Sequence, residues 1–156
     1  MRRYHSLYHR SDMAQKEIKK IGIAGAGTMG SGIAQLFALY GYSIVLVDTD
    51  AHALSRSLAS IRAHTDPVLW DQVEGRIKTS TEIKDLRGAD LVVEAVYEDP
   101  AVKKELLRRL GELCRPDAII ATNTSSISIN ELAASVAAPS RFIGLHFMNP
   151  PRVIKL

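Results

Sequence analysis

The sequence predicts an α/β fold in which helices cover both faces of a doubly wound, mainly parallel sheet. Short runs rich in valine and isoleucine recur along the chain, and they are apolar without alternation, as strands buried on both faces are. Segments of helical periodicity separate these runs, and each connection is long enough to cross over between parallel strands. Five strands are therefore expected, at residues 21–24, 44–47, 91–93, 119–121 and 143–145.

Apolar residues that recur every three or four positions predict two of the helices. The stripe of the first helix stops at Gly41 and consists of Met29, Ile33, Phe37 and Tyr40. The stripe of the later helix stops before Pro116 and consists of Val102, Leu106, Leu110 and Leu113. Ser128 and Glu131 have the spacing of a capping box and predict a further helix. Residues 52–81 have a helical pattern at first, which is then interrupted, and the remainder predicts no clear element. Trp70 in this segment is expected to be a packing residue.

The composition fits one folded domain. The chain has 156 residues, of which 46% are hydrophobic and 24% charged, and one domain typically takes about 150 residues. A net charge of +3 is too small to indicate a nucleic-acid or membrane-surface partner, and no run of 18 apolar residues occurs. We expect residues 1–16 to form a flexible N-terminal extension and residues 17–156 to form the domain.

The single cysteine, Cys114, cannot form a disulfide within the chain, which favours a reducing compartment. A cytoplasmic location is therefore expected. The alternative is the mitochondrial matrix, because the first twelve residues contain arginines and few acids, as transit peptides do.

A glycine-rich turn between the first strand and the first helix is the strongest local motif. Its residues are Gly25, Ala26, Gly27, Thr28, Met29 and Gly30. In a G-x-G-x-x-G turn the glycines allow a sharp bend, a close approach to a pyrophosphate and tight packing of helix on sheet, and a Cβ at each is expected to clash. Asp48 ends the second strand, where a carboxylate binds the adenosine ribose and repels the extra phosphate of NADP. The motif therefore predicts a Rossmann-type fold that binds NAD.

Polar residues follow the last three predicted strands, at the sheet edge where such folds bind ligands. Glu98 and Lys103 follow one strand; they could also be a helix-entry carboxylate and a surface lysine. The other two clusters are Asn123, Ser125 and Ser126, and His146 and Asn149. Oxidation of an alcohol needs a proton acceptor near the nicotinamide, and His146 could serve as that base, with Ser125 or Ser126 bonded to the same oxygen. No metal site is expected.

The segments GAGTMGSGIA, VVEAVYED, TNTSSISI and RFIGLHFMNP, in this order and together with Asp48, resemble the NAD-binding domain of the 3-hydroxyacyl-CoA dehydrogenases. The resemblance runs from about residue 19 to residue 156. It implies that His146 is the catalytic base and that Ser125 binds the substrate oxygen beside the nicotinamide. Glu98 and Lys103 would contact the nicotinamide side of NAD, while Asn149 would support substrate binding.

The resemblance also implies a function in fatty-acid β-oxidation or butanoate metabolism, the interconversion of L-3-hydroxyacyl-CoA and 3-oxoacyl-CoA. In that family a glutamate about a dozen positions after the histidine orients the imidazole, and a helical second domain closes over the acyl-CoA and makes the dimer. Neither lies within these 156 residues, so we expect the isolated chain to be weak or inactive. Its expected partners are acyl-CoA, a second copy of the chain, or a separately encoded C-terminal domain.

Two alternatives stay open at this point. One is a non-catalytic NAD-binding module or remnant whose function is interaction. The other is a dehydrogenase of small hydroxy acids, which the short segment after Asp48 favours, because family members usually carry a longer helical hairpin there that contributes to CoA binding.

Overall fold

The computed structural model describes residues 17–153. Its centre is a six-stranded sheet in which every neighbouring pair is parallel. The strands are β1 Lys20–Ala24, β2 Ser43–Val47, β3 Ile77–Ser80, β4 Leu91–Glu94, β5 Ile119–Thr122 and β6 Phe142–Gly144. Their spatial order is β3-β2-β1-β4-β5-β6, which is the order of the Rossmann fold. The predicted fold class is confirmed, whereas the expected extension at residues 1–16 lies outside the described residues.

Helices cover both faces of this sheet. They are α1 Thr28–Leu39, α2 Ala51–Ala63, α3 Trp70–Glu74, α4 Pro100–Leu113 and α5 Ile129–Ala133, with short 3-10 turns at Ile83–Gly88 and Pro139–Arg141. One apolar cluster joins α1, α2 and α3 to the sheet, and a second joins α4, α5 and the first 3-10 turn to the sheet. Leu107 and Leu110 of α4 are completely buried, and each such leucine stabilises the fold by about 2 kcal/mol relative to an exposed one.

Strand β3 is absent from the sequence prediction. Only Ile77 of its four residues is both apolar and buried, while Lys78 and Thr79 are exposed because β3 forms an edge of the sheet. A single buried residue produces neither alternation nor an apolar run, so the pattern carries no strand signal. Trp70 is 8% exposed and lies in the first apolar cluster, as expected of a packing residue.

The predicted helical stripes are partly wrong. Tyr40 is 77% exposed just after α1 ends, and Val102 is 48% exposed on α4. The buried face of α4 instead consists of Lys103, Leu107, Leu110 and Gly111. The buried face therefore begins at Lys103, one residue after the predicted Val102. A lysine can occupy this buried position because it forms an ion pair there.

Side chains cap most of the helices. Asp50 accepts from the His52 amide at the start of α2, and Asp99 accepts from two amides at the start of α4. Ser128 caps α5 through the Glu131 amide, as the capping-box spacing predicted. Within residues 17–153, no helix is both long and apolar enough to span a bilayer.

Candidate functional site

The glycine turn connects β1 to α1 at the carboxyl edge of the sheet. Gly25 has φ +105°, and a Cβ there would lie 2.6 Å from the Ala95 carbonyl oxygen. A Cβ on Gly30 would lie 1.8 Å from the Gly25 carbonyl oxygen. Both contacts are far inside van der Waals distance, so the protein itself requires glycine at these two positions.

Gly27 differs from these two glycines. A Cβ built there would meet nothing within 4 Å, and its φ of −71° is open to any residue. No protein atom therefore requires glycine at this position, and the close approach to a pyrophosphate stays a prediction for Gly27. The free space beside its backbone is the room that a pyrophosphate needs in this turn.

The N-terminus of α1 has no side-chain cap, because Gly27 occupies the N-cap position. The first amides of a helix have no partners within the helix and carry the positive end of its dipole, so they attract an anion. The Ser31 hydroxyl stabilises the turn, since it lies 2.7 Å from both the Gly27 carbonyl oxygen and the Ser57 hydroxyl. This rigid, uncapped N-terminus fits the phosphates of a dinucleotide.

Asp48 follows β2 next to this turn. Its Oδ2 accepts the Ala26 amide at 2.8 Å, and its Oδ1 accepts the Asp50 amide at 3.0 Å. The sequence predicted a ribose-binding carboxylate here, and the structure adds that the same carboxylate ties the glycine turn to β2. A carboxylate has about four acceptor positions, so two remain for ribose hydroxyls. Asp48 also lines a cavity of about 500 Å³ that extends from Gly25 to α4.

A second cavity, of about 480 Å³, lies across the end of β4 and brings together residues from three loops. Six of the candidate residues line it: Met29, Glu98, Asn123, Ser125, His146 and Asn149. Lys103, which the resemblance also assigns to the nicotinamide side, does not line it. The sheet order explains this meeting, since β4, β5 and β6 are neighbours and their carboxyl ends share one edge. We call this space the reacting pocket.

His146 is exposed in the reacting pocket, and among the described residues its imidazole has no hydrogen-bond partner. Its backbone is nevertheless well fixed. The next residue, Phe147, donates its amide to Asn123 Oδ1 at 2.8 Å, and its ring packs edge-on against Phe37 at 5.8 Å. Asn123 therefore positions the histidine loop, a function that the sequence did not reveal.

Glu98 organises the loop that carries Ser125. Its Oε1 accepts the Thr124 hydroxyl, the Ser125 amide at 3.1 Å, and the Ser126 amide and hydroxyl at 3.4 and 3.3 Å. Its Oε2 lies 3.2 Å from the Lys103 ammonium group. Burial raises the pKa of Glu98, but the hydrogen bonds from Thr124 and Lys103 outweigh burial and lower this pKa to about 2. Glu98 is thus an anion at neutral pH.

Lys103 is completely buried, so the interpretation of this residue as a surface lysine is wrong. Its Nζ lies 2.7 Å from Glu94 Oε1 and 3.4 Å from the Val96 carbonyl oxygen, in addition to its contact with Glu98. Glu94 is also completely buried and accepts the Val96 amide at 2.9 Å and the Thr122 hydroxyl at 2.6 Å. Sequence reasoning gave Glu94 no function, because a glutamate at a strand end carries no signal of burial.

Within residues 17–153 no three histidine, cysteine or acidic side chains are grouped so that they could hold a metal ion.

The family of the chain follows from its comparison with known proteins. Residues 20–156 match the model of the 3-hydroxyacyl-CoA dehydrogenase NAD-binding domain. The chain belongs to this family. NAD is the cofactor of these domains, in agreement with the prediction from the glycine turn and Asp48.

Two bacterial relatives are about 40% identical to the chain over their aligned residues. A probable 3-hydroxybutyryl-CoA dehydrogenase of Deinococcus radiodurans is 41% identical over 145 residues, which cover 88% of this chain and 52% of that protein. The 3-hydroxybutyryl-CoA dehydrogenase of Bradyrhizobium diazoefficiens is 40% identical over 148 residues, which cover 89% of this chain and 50% of that protein. The chain thus spans about half the length of these relatives.

Solved structures agree with the fold. The (S)-3-hydroxybutyryl-CoA dehydrogenase of Ralstonia eutropha superimposes with a TM-score of 0.84 at 38% identity, covering 88% of this chain and 52% of that chain. The 3-hydroxybutyryl-CoA dehydrogenase of Escherichia coli gives a TM-score of 0.83 at 38% identity, covering 90% of this chain and 32% of that chain.

Substitution of Gly27 by alanine tests whether the open space in the glycine turn belongs to the cofactor. We expect Gly27→Ala to keep its stability within about 1 kcal/mol, since no protein atom lies near the new methyl group. Its affinity for NADH should fall roughly 10- to 100-fold, because the methyl group overpacks the pyrophosphate space. Thermal unfolding and calorimetric titration measure the two effects. Gly88→Ala, remote from the turn, is the matched control, and equal NADH affinity in both variants would contradict the assignment.

The low pKa of Glu98 makes a prediction about acid stability. A carboxyl group whose pKa is lowered in the folded state stabilises the protein above its unfolded pKa of about 4.3, and this contribution disappears as the pH falls towards the folded value. The stability difference between wild type and Glu98→Gln should therefore be constant above about pH 5 and shrink between pH 5 and pH 2. Urea unfolding across this pH range measures the difference in stability. A difference that does not vary with pH would contradict the low pKa of Glu98.

Proposed function

We propose that this chain is the cofactor-binding part of an NAD-dependent dehydrogenase that interconverts L-3-hydroxyacyl-CoA and 3-oxoacyl-CoA. The main support is the reacting pocket, where the exposed His146 imidazole and Ser125 border one space at the carboxyl edge of the sheet. The relatives are named as dehydrogenases of 3-hydroxybutyryl-CoA or, in one E. coli enzyme, 3-hydroxyadipyl-CoA. These names support an acyl-CoA substrate for the present chain.

The residues of the glycine turn fit the cofactor. The open backbone at Gly27 and the free amides of Thr28 and Met29 would hold the pyrophosphate, while the remaining acceptor positions of Asp48 would hold the adenosine ribose. When bound, NAD supplies the hydride acceptor. The nicotinamide half would lie toward Glu98, which is the exposed member of its ion cluster, and Lys103 would act from behind Glu98 because it is completely buried.

His146 would transfer the proton to and from the substrate oxygen. In the direction of oxidation, its imidazole takes the proton of the substrate hydroxyl as the hydride leaves the carbon atom, and in reduction it returns that proton to the oxygen. Ser125 would hydrogen-bond the same oxygen, since its amide is fixed by Glu98 while its side chain lies at the pocket surface. Asn149 also lines the reacting pocket and would support substrate binding there.

We also propose a cytoplasmic location, which the unpaired and buried thiol of Cys114 favours. A self-associated dimer or a separate C-terminal domain would supply the surface that covers the acyl-CoA.

Cofactor choice is tested by comparing NADH with NADPH. The wild-type chain should bind NADH and discriminate against NADPH, because the carboxylate of Asp48 repels a second phosphate on the ribose. Asp48→Asn keeps an oxygen that accepts the Ala26 amide but removes the charge. The ratio of the NADPH to the NADH dissociation constant should therefore fall about tenfold. Asp66→Asn removes the same charge from an exposed turn and should leave the ratio unchanged. Tight NADPH binding by wild type would overturn this assignment.

Catalysis is tested with acetoacetyl-CoA and NADH. The 156-residue chain alone should bind NADH and turn over slowly or not at all, because its imidazole lacks an orienting partner among the described residues. Any residual rate should disappear in His146→Gln, whose NADH affinity should match wild type. A kcat like that of a complete dehydrogenase would contradict this expectation, and a residual rate that survives the substitution would remove His146 from its assigned function.

A further inference from the structure

The ion cluster of Glu94, Lys103 and Glu98 carries a net charge of −1, because two carboxylates share one ammonium group. The Lys103 Nζ lies 2.7 Å from Glu94 and 3.2 Å from Glu98, and the side chains of Lys103 and Glu94 are both 0% exposed. Counter-ions and water reach neither Lys103 nor Glu94, so the charges of these two groups are screened far less than surface charges would be.

Three groups donate hydrogen bonds to the Glu94 carboxylate. The Thr122 hydroxyl, the Val96 amide and the Lys103 ammonium group all donate to its two oxygens. These contacts fix the carboxylate at the end of β4, directly before Ala95 and Val96, which line the reacting pocket. The buried charge therefore adjoins the pocket although Glu94 itself does not reach it.

Glu98 brings the cluster to the pocket surface. Its side chain is 34% exposed and lines the reacting pocket, while its contacts with Ser125 and Ser126 prevent it from turning away. The cluster thus presents a fixed negative potential to whatever ring enters this pocket.

We propose that Glu94 is a positioning residue which, through Lys103 and Glu98, makes the reacting pocket favour the oxidised, positively charged nicotinamide over the reduced, neutral one. This inference rests on the proposed function, which assigns the nicotinamide to this pocket. Stabilising the oxidised form makes bound NADH the stronger hydride donor. The bound equilibrium therefore shifts towards reduction, in which the carbonyl carbon receives the hydride and the carbonyl oxygen receives a proton from His146.

Glu94→Gln removes one charge and keeps the shape of the side chain. Because Glu94 is completely buried, the substitution changes no surface of the pocket. We expect the ratio of the NAD⁺ to the NADH dissociation constant to rise about tenfold, which equals an increase of about 30 mV in the midpoint potential of the bound couple. A purely structural loosening would weaken both forms alike and leave this ratio unchanged.

Glu112→Gln is the matched control. It removes the same charge from the same helix, but its side chain is 62% exposed, so the ratio should stay at the wild-type value. Glu98→Gln provides a second variant in case Glu94→Gln does not fold, and its ratio should rise in the same direction.

Fluorescence titration of each folded variant with NAD⁺ and with NADH measures the ratio. An unchanged ratio in Glu94→Gln, or in Glu98→Gln if the first variant does not fold, overturns the inference while the proposed function stands. An equal rise in Glu112→Gln also overturns it, since the effect would then belong to overall charge. Failure of the wild-type chain to bind either form overturns the proposed function, and this inference with it.

Discussion

The ion pair between Lys103 and Glu94 is the interaction on which the candidate site depends. A buried ammonium group is costly unless carboxylates and further donors and acceptors surround it, and the site meets this requirement with groups from β4, β5 and α4. The arrangement joins the helix that follows β4 to the loop that follows β5, because Lys103 reaches Glu98 and Glu98 holds the Ser125 loop. Loss of one partner would leave a charge buried beneath the pocket.

The glycine turn depends on a second constraint, the close approach of backbone to backbone. Gly25 and Gly30 lie so near to neighbouring carbonyl groups that no side chain fits, whereas Gly27 faces open space. The same motif therefore contains two kinds of glycine: two that the protein needs in order to fold, and one that leaves room for a ligand. Asp48 connects these functions, since its carboxylate fixes the Ala26 amide and borders the cavity where a ribose would bind.

Two carboxylates, those of Asp48 and Glu94, lie near opposite ends of the proposed cofactor site. In our proposals, Asp48 would act at the adenosine end of the cofactor by repelling the extra phosphate of NADP. Glu94 would act at the nicotinamide end, from the interior, through Lys103 and Glu98. Both carboxylates are held in place by hydrogen bonds from backbone amides. Both proposals thus rest on fixed carboxylates, one for cofactor choice at the adenosine end and one for the redox balance at the nicotinamide end.

The sequence by itself determined the fold class, the glycine turn, Asp48 and the grouping of His146 with Ser125. These features rest on local spacing and on the rule that parallel strands end at one edge, so they need no knowledge of packing. Only the tertiary structure decided the edge strand β3, the inward face of Lys103 and the contacts of Glu94 and Asn123. Each of these depends on partners distant in the chain, because a polar residue is buried only where other elements supply its hydrogen bonds.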